Sequence, residues 1–256
     1  MHKSAELYSG THMDTIEFFT AAPGLSDLFP IIPASQYRAN WMAAAKNDWV
    51  ENKDKFTKTR QTHIFQCPGI FDMFNHGYII PLWHDLIIRT DGANRPFSWS
   101  IPSGALNSYR GKEVVGTHKP GLDKFIPKRP WSHEQVIKLD TPWNIVAPKG
   151  VKFLMLPIAY PDEFTFENAT GILDPAVSTE INLQIHWNVL KGETLIKAGT
   201  PIGHLIPLSE KNYDLVVREM NDNDKMWIEK RNLFMSVFFR QNRNLLKDFY
   251  HKHFKK

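Results

Sequence analysis

The sequence predicts an α+β, mainly β fold, with a barrel or sandwich core of short strands and a long C-terminal amphipathic helix. Three observations carry that prediction. Between 143 and 208, strand-like segments alternate with Pro-Lys-Gly, Asp-Pro and Lys-Ala-Gly turns at the short, regular spacing of sandwiches and barrels. Between 224 and 250, apolar residues recur at multiples of 3.6. The 256 residues, 42% hydrophobic and 23% charged, suffice to bury a sizeable core.

The first twelve residues have no periodicity, and His-Met before an acidic residue has the form of a cloning scar, so 1–12 read as an expression leader and 13–256 as a single domain. Asp14–Ala21 reads as the first strand, with Ile16, Phe18 and Phe19 as its apolar members. A proline-punctuated loop (Pro23–Pro33) precedes a helical segment, Ala34–Asn47, and a charged stretch, Lys46–Arg60, that reads as a surface connection or a short helix. Thr62–Gln66 reads as a short strand that opens a β core of about 62–208. Pro68 and Gly77 then bracket a two-turn helix with Ile70, Phe71 and Phe74 on its buried face.

Tyr78–Thr90 reads as a strand broken near Pro81, and Phe97–Ile101 as a short strand in the turn-rich stretch 91–130. Long loops of that kind are often lids, and Tyr109, Arg110, Lys112, His118, Lys119 and His133 make 102–133 the candidate lid, basic enough to suit an anionic ligand. Trp131–Leu139 begins the continuous β-block. The closing helix, about 224–254, carries Trp227, Phe234, Phe238, Leu245 and Phe249 in one stripe and Ile228, Met235, Phe239, Leu246 and Tyr250 beside it. Asn221–Asp224 supplies its N-cap chemistry.

Composition excludes several classes. Cys67 is the only cysteine, which rules out an intrachain disulfide and a cysteine-based zinc site. No apolar run approaches the roughly 20 residues of a membrane span, so a soluble, cytoplasmic protein without a membrane partner is expected. The net charge of +4 is concentrated in 240–256, where six Lys/Arg face Asp248 alone; the other residues sum to −1. That is not the spread basic surface of a nucleic-acid binder. The basic helix leaves a protein partner or a homo-oligomer as alternatives.

The phrases of 143–208 also have a recognisable order. Pro148 and Gly150 mark a first turn, Gly171 and Asp174 a second, Glu180 an acidic position after it, and Gly199 with Ile202-Gly203-His204-Leu205-Ile206 a closing strand. Over this quarter of the chain the sequence resembles the trimeric dUTPases and their β-clip relatives. The resemblance implies that Asp174 would orient an attacking water, assisted by Glu180. Chemically a carboxylate within hydrogen-bond reach of water can act as a general base. The tyrosine that stacks on deoxyribose in that family is Val177 here, and the glycine before the acidic residue is Thr179. In place of the phosphate-binding Arg-Ser-Ser phrase stands Ile158-Ala-Tyr-Pro-Asp-Glu-Phe164, and no P-loop occurs elsewhere.

Cys67-Pro68-Gly69, Gly77-Tyr78-Ile79-Ile80-Pro81, Pro142-Trp143, Gly171 with Asp174 and Gly199-Thr200-Pro201 resemble a family of tailed phages and some bacteria that has no assigned activity. Together the resemblances imply a phage-associated accessory protein, in the host cytoplasm if viral, that binds a small ligand or a protein without dUTP hydrolysis. The competing class is a metal-dependent or nucleotide-acting enzyme. For it, His84, His186 and His204, on three predicted strands, are the candidate ligands of a divalent metal. Trp83, Asp85, Trp143, Arg110 and His133 are the candidate ligand-binding residues.

Overall fold

The computed structural model describes residues 14–59, 62–106, 114–117, 125, 127, 129–237 and 242–254. The expected leader, Arg110 and most of the candidate lid lie outside these residues.

Fourteen strands are described, in three open sheets that form no closed barrel among the described residues. The largest runs in the order β14 (Asp214–Glu219), β1 (Thr15–Thr20), β7 (Ile137–Val146), β11 (Glu180–Trp187) and β9 (Phe166–Asn168). β1 and β14 are parallel and the other pairs antiparallel; β6 (Val115–Thr117) lies on the same edge of β7 as β1, further along it. The second sheet runs β10 (Gly171–Leu173), β8 (Phe153–Leu156), β13 (Pro201–Pro207), β3 (Tyr78–Pro81) and β2 (Ile32–Pro33). The third joins β12 (Lys191–Ile196), β4 (Leu86–Asp91) and β5 (Ser98–Ser100).

Alternation decides which side chains meet. Ile181, Leu183, Ile185 and Trp187 of β11 point with Ile16 and Phe18 of β1 into one cluster, where Tyr78, Ile80, Phe153, Leu205, Leu86 and Ile196 of the other sheets join them. Phe18 meets Tyr78 edge-on at 5.2 Å across the interface. In β13 the register against β3 slips between Pro201 and Gly203, so the extra residue, Ile202, can join Leu205 in this core although their spacing is odd.

The outer faces are buried too. On the second sheet, Ile79 packs with Tyr37, Ala39, Met42 and Phe74, contributed by the 34–42 segment and two helices, α1 (Asn40–Thr59) and α2 (Pro68–Asn75). On the largest sheet, Phe19 and Val146 pack under Trp227, Leu246 and Tyr250. The result is a layered order of helix, sheet, sheet, helix.

Two local readings are corrected. Ile64–Gln66 is a 3₁₀ turn and not a strand, because His63 Nδ1 accepts the Phe65 N–H at 3.1 Å and gives the backbone a turn to close. Of the two alternatives for Lys46–Arg60, the structure has the helix, longer than expected, as the body of α1 up to Thr59. Larger in consequence is the C-terminus, which is two helices, α3 (Asp222–Val237) and α4 (Arg243–His253). In one straight helix Trp227 and Phe249 would stand about 33 Å apart; their rings are 5.5 Å apart, and Phe234 stacks on Phe249 at 5.7 Å. Asn242 caps the second helix by accepting the Leu245 N–H at 3.1 Å. No described helix is long and apolar enough to cross a membrane.

Candidate functional site

A cleft of about 480 Å³ among the described residues is of ligand-binding size. Ile79 and Pro81 of β3 and Pro201 of β13 form part of its lining. Pro30, Ile32, Tyr37 and Arg38 line it from the segment before α1, with Pro161–Glu163 and Gly199–Thr200 completing it.

Each wall is latched by contacts readable from chemistry. Gly199 adopts φ +84°, and around it the Gly199 N–H donates to Leu82 O at 2.7 Å while the Leu82 N–H donates to Thr200 O at 2.8 Å. Asp85 Oδ1 accepts the Ala198 N–H at 2.9 Å, so this predicted ligand-binding residue supports the turn at the cleft rim without lining the cleft. On the opposite wall Tyr160 holds φ +48°, a strained value for a non-glycine. Trp41 secures it by donating Nε1–H to Tyr160 O at 2.9 Å and packing edge-on against its ring. Asp162 Oδ2 accepts the Asn40 N–H at 2.9 Å, a carboxylate placed where the first turn of α1 leaves N–H groups unpaired.

Inside the cleft, burial and then the neighbouring Asp162 carboxylate push the Tyr37 hydroxyl up to about 12, so it stays a proton donor at neutral pH. Arg38 Nη1 donates to Ser35 O at 2.5 Å and Tyr37 O at 2.6 Å, which holds the guanidinium against its own loop.

The structure does not gather the predicted ligand-binding set around this cleft. Trp143 is fully buried in the central core and Trp83 nearly so, the latter edge-on to His84 at 5.2 Å. His133 is buried and stitches loops together, its Nε2 2.8 Å from Arg95 O and its Nδ1 accepting the Gln135 N–H at 3.1 Å.

The histidines do not converge either. His186 alternates with Ile185 and Trp187 and so faces the outside of the largest sheet, while His204 faces the outside of the second. The two point away from each other across both sheets. His84 sits between β3 and β4 with Nδ1 2.9 Å from Asp85 O. Among the described residues no three His, Cys, Asp or Glu side chains gather closely enough to hold a metal ion.

His204 is fully buried, with Nε2 2.7 Å from His76 O and its ring parallel to Phe74. Burial lowers its pKa, partly offset by the His76 carbonyl; burial also lowers those of His84 and His186. A folded-state pKa below the unfolded value means that the unfolded chain binds the proton more readily. Stability is then complete above about pH 6.5 and falls as the pH drops below it. Urea midpoints are expected to decrease from pH 7.5 to pH 5, and His204→Leu to flatten that slope; an unchanged slope in the variant would refute the assignment.

Asp174 and Glu180, the residues that the resemblance puts in catalysis, are both engaged by the C-terminal helices. Asp174 Oδ1 accepts the Ala176 N–H at 3.1 Å, closing its own turn, and Oδ2 pairs with Lys247 Nζ at 2.8 Å. Glu180 Oε2 lies 3.8 Å from Arg231 Nη1. The Pro148–Gly150 turn and Asp174 do come together, around a pocket of about 70 Å³ that Lys247, Tyr250 and His251 also line. Thr179 is fully buried, its hydroxyl donating to Asn144 Oδ1 at 3.1 Å and lying 3.5 Å from Trp227 Nε1.

Sequence reasoning missed the cleft. Its walls are mostly prolines and backbone turns, and the chemical flags in the sequence are the pair Tyr37-Arg38 and the run Tyr160-Pro161-Asp162-Glu163. Neither protein-family models nor curated proteins match the sequence.

Proposed function

We propose that the protein is a phage-associated accessory protein that binds a small ligand in the cleft between Tyr37 and Pro201, on a dUTPase-like scaffold without dUTP hydrolysis. The observation that carries this reading is a division of labour between the two pockets. The cleft is roomy and its walls are latched by Asp162 to Asn40 and by Asp85 to Ala198. The pocket at Asp174 is small, and its carboxylate is occupied on both oxygens. A water placed there would compete with a turn N–H and an ammonium for the base. The carboxylates of Asp162 and Glu163 on the cleft wall also disfavour a triphosphate.

A thermal-shift screen of nucleotides and metabolites, followed by amide-shift mapping of the hits, tests the reading. Ligand-induced shifts are expected around Tyr37, Pro161–Glu163 and Thr200. Arg38→Ala is expected to weaken binding about tenfold, on the order of 1.4 kcal/mol, because Arg38 lines the cleft. With dUTP and Mg²⁺ no turnover is expected, and Asp174→Asn should cost no more than about 1 kcal/mol of stability, since the part-exposed pair with Lys247 is lost while the amide oxygen still accepts the Ala176 N–H. Hydrolysis of dUTP that disappears in Asp174→Asn would overturn the proposal.

A further inference from the structure

A second, smaller pocket of about 30 Å³ adjoins the cleft and shares Pro161, Glu163 and Pro201 with it. That volume matches one water-sized group. Asn168 lines it, is 2% exposed, and has an Oδ1 without a hydrogen-bond partner among the described residues. The amide orientation is set by its surroundings, since Nδ2 donates to Leu156 O, an acceptor, at 3.3 Å. Native proteins rarely leave a buried acceptor unused.

What could satisfy it follows from the walls. Pro157, Pro161 and Pro201 contribute no N–H, and one of the two Nδ2 hydrogens of Asn168 is committed to Leu156 O. Half-buried Glu163 brings a carboxylate, of which one oxygen accepts the Thr165 N–H at 2.8 Å. The lining is therefore rich in acceptors and carries the Glu163 charge, while the carboxylate of Glu167, which also lines it, is held by Arg129 at 2.7 and 3.2 Å. An anion would find repulsion there, and a neutral hydroxyl would gain only the hydrogen bond to Asn168, whereas an ammonium also gains from the Glu163 charge.

Resting on the reading of the cleft as a binding site, we propose that its ligand is a primary amine, whose ammonium enters this side pocket to donate to Asn168 Oδ1 with Glu163 as counter-charge. The remainder of the ligand lies in the cleft against Tyr37 and the prolines. Carboxylates and phosphates are excluded from the side pocket.

The test compares benzylamine, protonated at neutral pH, with benzyl alcohol of nearly the same shape, by amide-shift titration of the full chain. Benzylamine is expected to bind at least about tenfold more tightly, with shifts centred on Glu163–Asn168 and Ile202. Asn168→Leu is expected to weaken benzylamine binding, and Glu163→Gln to erase the preference while leaving the melting temperature unchanged, because Glu163 is only half-buried; the second variant keeps the test valid even if the first fails to fold. Equal binding of the two compounds, or a preference that survives Glu163→Gln, would overturn the amine assignment and leave the cleft as a binding site. Absence of shifts at the cleft with either compound would overturn both.

Discussion

Trp227→Ala is expected to lower stability by about 3–5 kcal/mol, the usual cost of truncating a fully buried aromatic side chain. Trp227 is 0% exposed, and Phe249, Tyr250, His253 and Phe254 all lie within 5.5 Å of its ring by centroid distance. With the Phe234–Phe249 stack it holds α4 back against α3, and both helices cover Phe19 and Val146. The Nε1–H also reaches Thr179, so the indole links the helices to the buried Thr179–Asn144 pair beneath them.

The loss should be uneven. Hydrogen exchange is expected to rise most in Asp222–Val237 and Arg243–His253 and least in β7 and β11, whose inward faces belong to the central core. Near-uniform loss of protection would mean that the helix pair and the sheets unfold as one unit. A variant less than 1 kcal/mol from the wild type in a denaturant melt would show that the helices are not packed as described. Tyr250 adds to the same lock: its hydroxyl accepts the Ala147 N–H at 3.2 Å, and burial pushes its pKa well above the ordinary tyrosine value.

Gly77→Ala is the second severe change, with an expected cost of about 3–5 kcal/mol from two causes that add. Gly77 ends α2 with φ +81°, a conformation that costs other residues about 1–3 kcal/mol. A Cβ there would also overlap the Leu205 carbonyl oxygen and stand 2.9 Å from Ile206 Cα, both backbone atoms of β13 that cannot step aside without moving the strand. The Gly77 carbonyl accepts the Ala34 N–H at 2.8 Å, so displacement would be transmitted to the segment that lines the cleft. Gly69→Ala, where a Cβ meets nothing within 4 Å, is the matched control and should be near neutral. If the two variants melt within about 1 kcal/mol of each other, the close approach to β13 is wrong.

Much of the local structure is legible in the sequence because its causes are local. Pro68 and Gly77 announce the ends of α2, which the structure places at Pro68 and Asn75 with Gly77 as the terminating residue. The turns at Pro148–Gly150, Asp174 and Lys197–Gly199 each separate the strands expected on either side. Partnership is another matter. Each of those turns carries the chain from one sheet to another: β7 to β8, β10 to β11 and β12 to β13 all change sheet. Alternation says which residues face inward; it does not say which sheet lies opposite.

The candidate site shows the same limit. The parity of Ile181, Leu183, Ile185 and Trp187 already turns His186 outward, a signal present in the sequence. His204 gives no such signal, because the irregularity at Ile202 interrupts the alternation of β13. The aromatic and charged residues that attract attention, Trp83, Trp143 and His133, are buried among their neighbours, while Asp174 and Glu180 are paired with the final helices.

By itself, then, the sequence determined the α+β class, the order of most elements, the turn that Asp174 closes and the amphipathic character of the C-terminus. Only the tertiary structure decided that the final stripe is two helices folded together, that three open sheets share one core, and that the cleft lies between Tyr37 and Pro201. The physical reason is the range of the interactions. Caps, turns and alternation act over a few residues, whereas the cleft is assembled from 30–38, 79–81, 161–163 and 199–201, whose meeting depends on how two sheets and a helix pack.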